Sequence, residues 1–192
     1  MSYATYITDA YVCGTFNRNT ADRSYLLFTR EAGMLFADAK SAREERSRQR
    51  YALQDFSRIR VSLVKGRQGW KVGSVEALGN DFMQAVSKEA RGSVVALYRL
   101  LRRFIHGEEP HPELFDFLTE SLGCLRETVA KRDFLELYVE TRVLAALGYV
   151  NKAKLPTALL SYKLVEIEVQ ASHELTRTLR YLVAQGMEHS QL

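Results

Sequence analysis

The spacing of apolar residues changes from one period to another near residue 80. Before that position, Ile59, Val61 and Leu63 alternate with polar residues, which is the two-residue period of a strand with one buried face. After it, apolar residues recur every three or four positions, which is the period of helices with one apolar side. The chain is therefore predicted to fold as a β part followed by an α part.

Five strands are predicted in the first 80 residues, over positions 5–16, 24–30, 34–40, 53–65 and 70–77. A tight turn at Gly33 joins the second strand to the third, and the stretch Gly66-Arg-Gln-Gly69 joins the last two. Five short antiparallel strands suggest an OB-type barrel. Such a barrel commonly has a helix between its third and fourth strands, and the basic residues 41–50 occupy that place here.

Four helices are predicted after the strands, over about 81–107, 112–125, 133–148 and 156–186. Asn80 is a suitable N-cap, Pro112 a suitable first helical residue, and Gly148 a suitable C′ residue. The predicted fold class is α+β, with a five-stranded OB-fold barrel in residues 1–80 and an all-α helical bundle in residues 81–192. A barrel this small buries a modest share of its surface, so we expect it to dock against the first helix.

Basic residues are concentrated in the β part. Residues 1–80 contain 13 Lys and Arg against 8 Asp and Glu, a balance of +5, whereas residues 81–192 contain 14 against 15, a balance of −1. Ten cations fall between positions 40 and 71, and like charges within about 8 Å repel one another until a polyanion binds. The predicted DNA contacts are these ten and one aromatic residue: Lys40, Arg43, Arg46, Arg48, Arg50, Arg58, Arg60, Lys65, Arg67, Lys71 and Trp70.

Single-stranded DNA suits such a surface because its phosphates meet the cations and its bases stack on aromatic rings. Tyr51, Phe56 and Trp70 are the candidate rings, although Phe56 and Trp70 also suit the core. Two other interpretations stay open. The basic loop can be an ordinary solvated segment with a weak Glu44–Arg48 pair, or the barrel can belong to an interaction scaffold that recognises an acidic protein.

Enzymatic chemistry has no candidate residues in the sequence. It contains no glycine-rich phosphate loop and no G-x-S-x-G elbow, and Cys13 and Cys124 suit small buried positions better than a nucleophile. His106 and His111 match no known metal-ligand spacing. We therefore expect a non-enzymatic protein without cofactor or metal. Two cysteines, no signal sequence and no long apolar run favour the cytoplasm.

Five segments resemble bacterial RecO, a family of recombination mediators: residues 27–35, 39–43, 47–50, 53–56 and 145–149. The resemblance is closer over the first 80 residues than beyond them. It implies an OB-fold followed by a helical domain, binding of single- and double-stranded DNA, and strand annealing. It also implies work with RecR and single-stranded DNA-binding protein to load RecA. For the acidic, apolar tail of that second partner the candidate cations are Arg99, Arg102, Arg103, Arg126 and Arg132, which also suit a solvated helix face.

The chain departs from the family pattern at two places. RecO proteins usually carry a zinc-ribbon-like insertion after the Leu-Gly-Tyr motif, whereas Tyr149 here is followed by a short stretch to Pro156 and the last predicted helix. The turn after the first strand usually reads Gly-Glu-x-Asp, and only Asp22 matches it. DNA binding by the barrel is therefore a better-founded expectation than the complete mediator activity.

Overall fold

The computed structural model describes residues 5–18, 22–40, 47, 49–127, 129–156, 159, 164, 167, 169 and 171–188. Its strands are β1 (Thr5–Asn17), β2 (Arg23–Thr29), β3 (Gly33–Ala39), β4 (Ser57–Gly66) and β5 (Gly69–Asn80). Its α-helices are α1 (Gln49–Ala52), α2 (Asp81–Gln84), α3 (Lys88–Phe104), α4 (Pro112–Leu125), α5 (Arg132–Ala146) and α6 (His173–Glu188). A 3-10 turn covers Lys152–Lys154.

The strands close into a barrel in the order β1-β2-β3-β5-β4. All neighbouring pairs are antiparallel except β3 and β5, which are parallel and pair at Ala37↔Trp70 and Asp38↔Lys71. This is the five-stranded OB-type barrel that the sequence predicts. The alternation on β4 is confirmed as well, because Ile59, Val61 and Leu63 are fully buried in the barrel core.

The fourth strand begins later than predicted. Residues 49–52 form α1, and β4 starts only at Ser57. Phe56 has a φ of 68°, a left-handed conformation that ends any extended segment before β4. Leu53 is buried in the barrel core although it lies outside a strand. Its apolar side chain therefore indicates burial and not membership of a strand. The predicted basic helix over 41–50 lies mostly outside the described residues.

The first predicted helix is two helices. Asn80 caps α2 as expected, its side chain accepting a hydrogen bond from the Met83 amide at 3.0 Å. That helix ends at Gln84, and a second cap follows at Ser87, whose Oγ accepts from the Ala90 amide at 3.1 Å. Serine competes for backbone amides and favours a cap over a helix interior.

The last predicted helix is interrupted. Leu159 is helical, whereas Ala171 and Ser172 are not, and α6 starts at His173. Most of the predicted segment between Pro156 and Ala171 lies outside the described residues. The predicted second helix is confirmed with Pro112 in its first turn, and the third ends with Gly148 just after its C-cap at a φ of 83°. None of the described helices combines the length and the apolar character needed to cross a bilayer.

The barrel docks on the helices through one shared hydrophobic core, as the sequence predicts. Tyr11, Phe28 and Met34 project from the outer face of β1, β2 and β3 and are buried against α3 and α4. The Tyr11 ring lies 4.8 Å from the Phe115 ring and 6.1 Å from the Tyr98 ring, measured between centroids. We call this contact surface the seam.

A buried carboxylate ties the seam together. Asp81 is 2% exposed, accepts a hydrogen bond from the Tyr98 hydroxyl at 2.9 Å, and pairs with the Arg126 guanidinium at 3.0 Å. Burial raises the pKa of Asp81, while the Tyr98 hydroxyl, Arg126 and Arg58 act in the opposite direction. One side chain at the start of α2 therefore connects α3 with the end of α4.

A backbone contact joins the β2–β3 hairpin to the α3–α4 loop. The Met34 amide donates to the Gly107 carbonyl at 2.9 Å. Gly33 has a φ of +65°, and a Cβ atom added there would overlap the Glu109 carbonyl oxygen and lie 2.8 Å from that of Gly107. Glycine is therefore required at position 33 by both conformation and space.

We predict that Gly33→Ala destabilises the fold much more than Gly69→Ala. Both glycines have a positive φ, but nothing lies within 4 Å of a Cβ added at Gly69. The control, Gly69→Ala, should lower the free energy of unfolding by about 1–2 kcal/mol because of its backbone conformation alone. Gly33→Ala should lower it by roughly 3 kcal/mol or more, because neighbouring backbone must also move. Urea unfolding measures both free energies. Equal losses would contradict the close approach.

Candidate nucleic-acid interface

An open groove of about 470 Å³ lies on the barrel between the loop after β1 and the β4–β5 hairpin. A hollow of about 340 Å³ continues it and shares Gln68 and Lys71 with it. We call the two together the β3–β5 groove. Its lining residues are Arg18, Asp22, Asp38, Ala39, Lys40, Gln49, Val64, Gly66, Arg67, Gln68, Lys71 and Val72.

The barrel topology brings these residues together. The parallel pairing sets Asp38 beside Lys71, and the two-residue turn between Gly66 and Gly69 presents Arg67 and Gln68 at the hairpin tip. The Gln49 side chain donates to the Gly73 carbonyl at 2.6 Å, which holds α1 against β5. OB folds bind oligonucleotides on the face of strands 2 and 3 and with the loops after strands 1 and 4, and the groove is lined by residues of β3 and of both of these loops.

The groove is cationic. Four cations line it, Arg18, Lys40, Arg67 and Lys71, against two carboxylates, Asp22 and Asp38. Arg18 forms an ion pair with Asp38. Lys40, Arg67 and Lys71 are exposed, and no carboxylate in the described part of the chain lies within ion-pair distance of them. Three positive charges are thus directed at solvent from one groove.

None of the other predicted DNA contacts that the structure describes lines the groove. Arg60 pairs with Asp9 at 2.8 Å, and Lys65 pairs with Glu108 at 2.8 Å. Arg50 is exposed on α1. Arg43, Arg46 and Arg48 lie outside the described residues.

Arg58 points outward from the barrel, as the alternation indicates, but into the seam. It is half-buried there, and its charge acts on the Tyr11 hydroxyl and on Asp81. The ten cations therefore do not form one surface among the residues that the structure describes. Of the predicted set, the groove contains Lys40, Arg67 and Lys71.

Two of the three predicted stacking rings are core residues. Trp70 is 7% exposed, packs inside the barrel, and donates from its indole nitrogen to Glu108 at 3.0 Å. Phe56 lies 5.4 Å from the Phe82 ring and 5.1 Å from the Tyr98 ring. These positions correct the assignment of Trp70 to the DNA-contacting surface, because a base has no access to its ring face. Tyr51 remains 70% exposed.

The sequence interpretation missed a pair of exposed rings that lie next to each other, Phe16 and Phe36. They lie on the outer face of β1 and β3, with centroids 5.6 Å apart. Alternation on β3 contained the signal, because Leu35 and Ala37 are buried and the residue between them must face outward.

The predicted partner-binding arginines have different surroundings. Arg99 is exposed on α3, and Arg102 lies over the Phe16 ring. Arg103 donates to the Met187 carbonyl at 3.2 Å. Arg126 is bound to Asp81, and Arg132 donates to Ser93 Oγ at 2.8 Å and to the Leu125 carbonyl at 2.9 Å. These last two arginines hold helices together.

The described residues contain no group of three His, Cys, Asp or Glu side chains arranged to hold a metal ion. Cys13 is buried, and burial raises the pKa of its thiol to about 12. A protonated, inaccessible thiol is a poor nucleophile. Cys13 instead contributes to the shared core at the seam.

Residues 89–150 match the family described as the recombination protein O C-terminal domain. The chain is 34% identical to the DNA repair protein RecO of Myxococcus xanthus over 126 residues, covering 62% of this chain and 50% of that protein. It is 31% identical to RecO of Desulforudis audaxviator over 144 residues, covering 75% and 57% respectively. For RecO of Alkalilimnicola ehrlichii the identity is 35% over 123 residues, covering 64% and 47%.

The chain is similar to RecO proteins over most of its length. It spans about half the length of the curated relatives that it matches. The matched family domain covers α3, α4 and α5, which is the part where the sequence resemblance to RecO was looser. The 3-10 turn at Lys152–Lys154 follows the Leu-Gly-Tyr motif, at the point where the resemblance to RecO leads us to expect a zinc-ribbon-like insertion.

We predict that Asp38→Asn strengthens polyanion binding to the groove. The substitution removes a negative charge from the groove and releases Arg18 from its ion pair. Affinity for heparin should rise roughly two- to fivefold, which corresponds to one exposed ion pair. Fluorescence titration measures it. Asp116→Asn is the matched control, because it breaks the Arg30–Asp116 pair at the opposite end of β2. Equal gains would show that net charge alone matters.

Proposed function

We propose that this chain is a DNA-binding protein of recombinational repair that acts without catalysing a chemical reaction. The β3–β5 groove would hold the phosphate backbone of single- and double-stranded DNA. The observation that carries the proposal is the set of three exposed cations, Lys40, Arg67 and Lys71, at the place where OB folds bind oligonucleotides. The relatives named DNA repair protein RecO supply the biological setting.

The chemistry of the groove favours backbone contacts over base readout. Its described lining combines ammonium, guanidinium, amide and carboxylate groups, with Val64 and Val72 as its larger apolar side chains. Cations that meet phosphates position a nucleic acid without reading its sequence. Strands held in this way keep their base-pairing edges available, and neutralised phosphates repel one another less. Both effects favour the strand annealing that the RecO resemblance implies.

The partners in the proposal rest on the resemblance to RecO. By that resemblance, RecR and single-stranded DNA-binding protein are the proposed protein partners, and loading of RecA is the proposed outcome. Among the candidates for the acidic tail of single-stranded DNA-binding protein, Arg99 is exposed and Arg102 lies over the Phe16 ring, and neither forms an ion pair with a carboxylate of the described residues. Arg126 and Arg132 already bind groups of the helical part.

A salt titration with oligonucleotides tests the groove. Contact with about four to six phosphates predicts that affinity for a single strand falls very roughly 100-fold between 50 and 200 mM salt. In the double variant Arg67→Ala/Lys71→Ala, binding should weaken and the slope of log affinity against log salt should become shallower by about 1.4. Fluorescence anisotropy measures both quantities at each salt concentration.

The matched control is Arg177→Ala/Arg180→Ala, which removes two exposed cations from α6. It should bind as the unmodified chain does, and circular dichroism should show that all three proteins are folded. Unchanged affinity and slope in the groove variant would overturn the proposed site. Salt-sensitive binding of an acidic peptide without any binding of DNA would instead support the interaction scaffold.

A further inference from the structure

Two exposed phenylalanines form a pair on the outer face of the barrel. Phe16 is 40% exposed near the end of β1, Phe36 is 56% exposed on β3, and their centroids lie 5.6 Å apart at an interplanar angle of 62°. On the strand between them, β2, Leu26 pairs with Phe36 and Ser24 pairs with Phe16. Exposure of neighbouring aromatic rings to water is unfavourable in free energy, and a ligand that covers the rings removes this cost.

Helix α3 adds a cation to this pair. The guanidinium of Arg102 lies over the Phe16 ring, with Cζ 5.9 Å from the centroid. Gly14 makes room for this arrangement, because a Cβ atom there would lie 3.1 Å from the Phe16 ring and 3.6 Å from Arg102 Cζ. No carboxylate among the described residues forms an ion pair with Arg102. Its charge is therefore available to an anionic ligand.

The aromatic pair continues the β3–β5 groove. Asp38 lines the groove, and Phe36 lies two residues earlier on the same face of β3, about 7 Å along the strand. Phe36, Gly69 and Arg102 line a further hollow of about 530 Å³ at the seam. On β5 that hollow reaches Trp70, and the next residue, Lys71, lines the groove.

We propose that Phe16, Phe36 and Arg102 form a base-stacking platform for a single strand that leaves the β3–β5 groove. This inference rests on the proposed function and extends it. Every base offers a π-face to an aromatic ring, so such a platform tolerates any sequence. It also discriminates by structure, because the bases of an intact duplex are stacked on each other and are unavailable. The groove supplies affinity for any DNA, and the platform supplies preference for the single strand.

The occupant is a nucleic acid because a ring pair and a phosphate-binding groove adjoin each other. A single strand presents charge and flat apolar surface in alternation along its length, which matches cations at Lys71 and Arg67 followed by rings at Phe36 and Phe16. The guanidinium of Arg102 is planar and stacks on bases as well as on phenylalanine.

The double variant Phe16→Ala/Phe36→Ala tests the platform. Both side chains are exposed, so we expect the variant to fold, with the same circular dichroism spectrum as the unmodified chain. Its affinity for a dT oligonucleotide should fall on the order of 10-fold. Its affinity for an abasic strand of equal length and for a duplex should stay unchanged, as should the salt slope. Tyr181→Ala, which removes a 60% exposed ring from α6, should bind all three as before.

A second variant gives a spectroscopic readout. Phe36→Trp adds an exposed indole to a chain whose only other tryptophan is Trp70, at 7% exposure. The dT oligonucleotide should quench its emission, and the abasic strand should not. Quenching by an acidic peptide in place of the oligonucleotide would overturn the platform.

The outcomes separate the platform from the groove. If the unmodified chain binds no oligonucleotide, both the proposed function and the platform are overturned. Normal binding, with the expected effect of Arg67→Ala/Lys71→Ala but unchanged dT affinity in Phe16→Ala/Phe36→Ala, would remove the platform alone. An equal loss for dT and abasic strands would show that the rings act through the fold of the barrel.

Discussion

The structure depends on the burial of the outer face of β1, β2 and β3 against α3 and α4. In most of the barrel one face of each strand is core and the other is solvated, but Tyr11 and Phe28 point outward and are still fully buried. Covering a side chain of this size stabilises a fold by about 1.5–3 kcal/mol. Without the helices the barrel would expose these rings, so the two parts of the chain share one core.

The seam also determines which charges are available to a ligand. It partly buries Arg58, and within it Arg126 forms an ion pair with Asp81. At the edge of the seam, the Glu108 carboxylate forms an ion pair with Lys65 and accepts a hydrogen bond from the Trp70 indole nitrogen. Lys40, Arg67 and Lys71 take part in none of these contacts, and Arg102 reaches the barrel from α3, which packs beside β1.

The sequence predicts the fold better than it predicts the site, for a physical reason. Alternation and turn residues report which side chains leave the barrel core, and the five strands and the β4–β5 turn agree with them. Alternation and turn residues do not indicate which outward-facing side chains of the barrel are covered by another part of the fold. Arg58 and Arg60 share one face of β4, yet one is half-buried in the seam and the other is exposed beside Asp9. For the same reason, the sequence does not decide whether Trp70 belongs to the barrel core or to a ligand-binding surface. The starts of α3 and α6 are set by side-chain caps at Ser87 and Ser172, which the spacing of apolar residues does not indicate.

The closure of the barrel has a consequence for ligand binding. Only two residue pairs join β3 to β5, whereas the β1–β4 and β4–β5 ladders are several times longer. One of those two pairs, Asp38 with Lys71, lies in the wall of the groove. Any ligand that spans both strands acts as a clamp across the shortest ladder, and its binding energy adds to the energy that keeps the ladder closed. Opening of the barrel and release of the ligand are then linked equilibria.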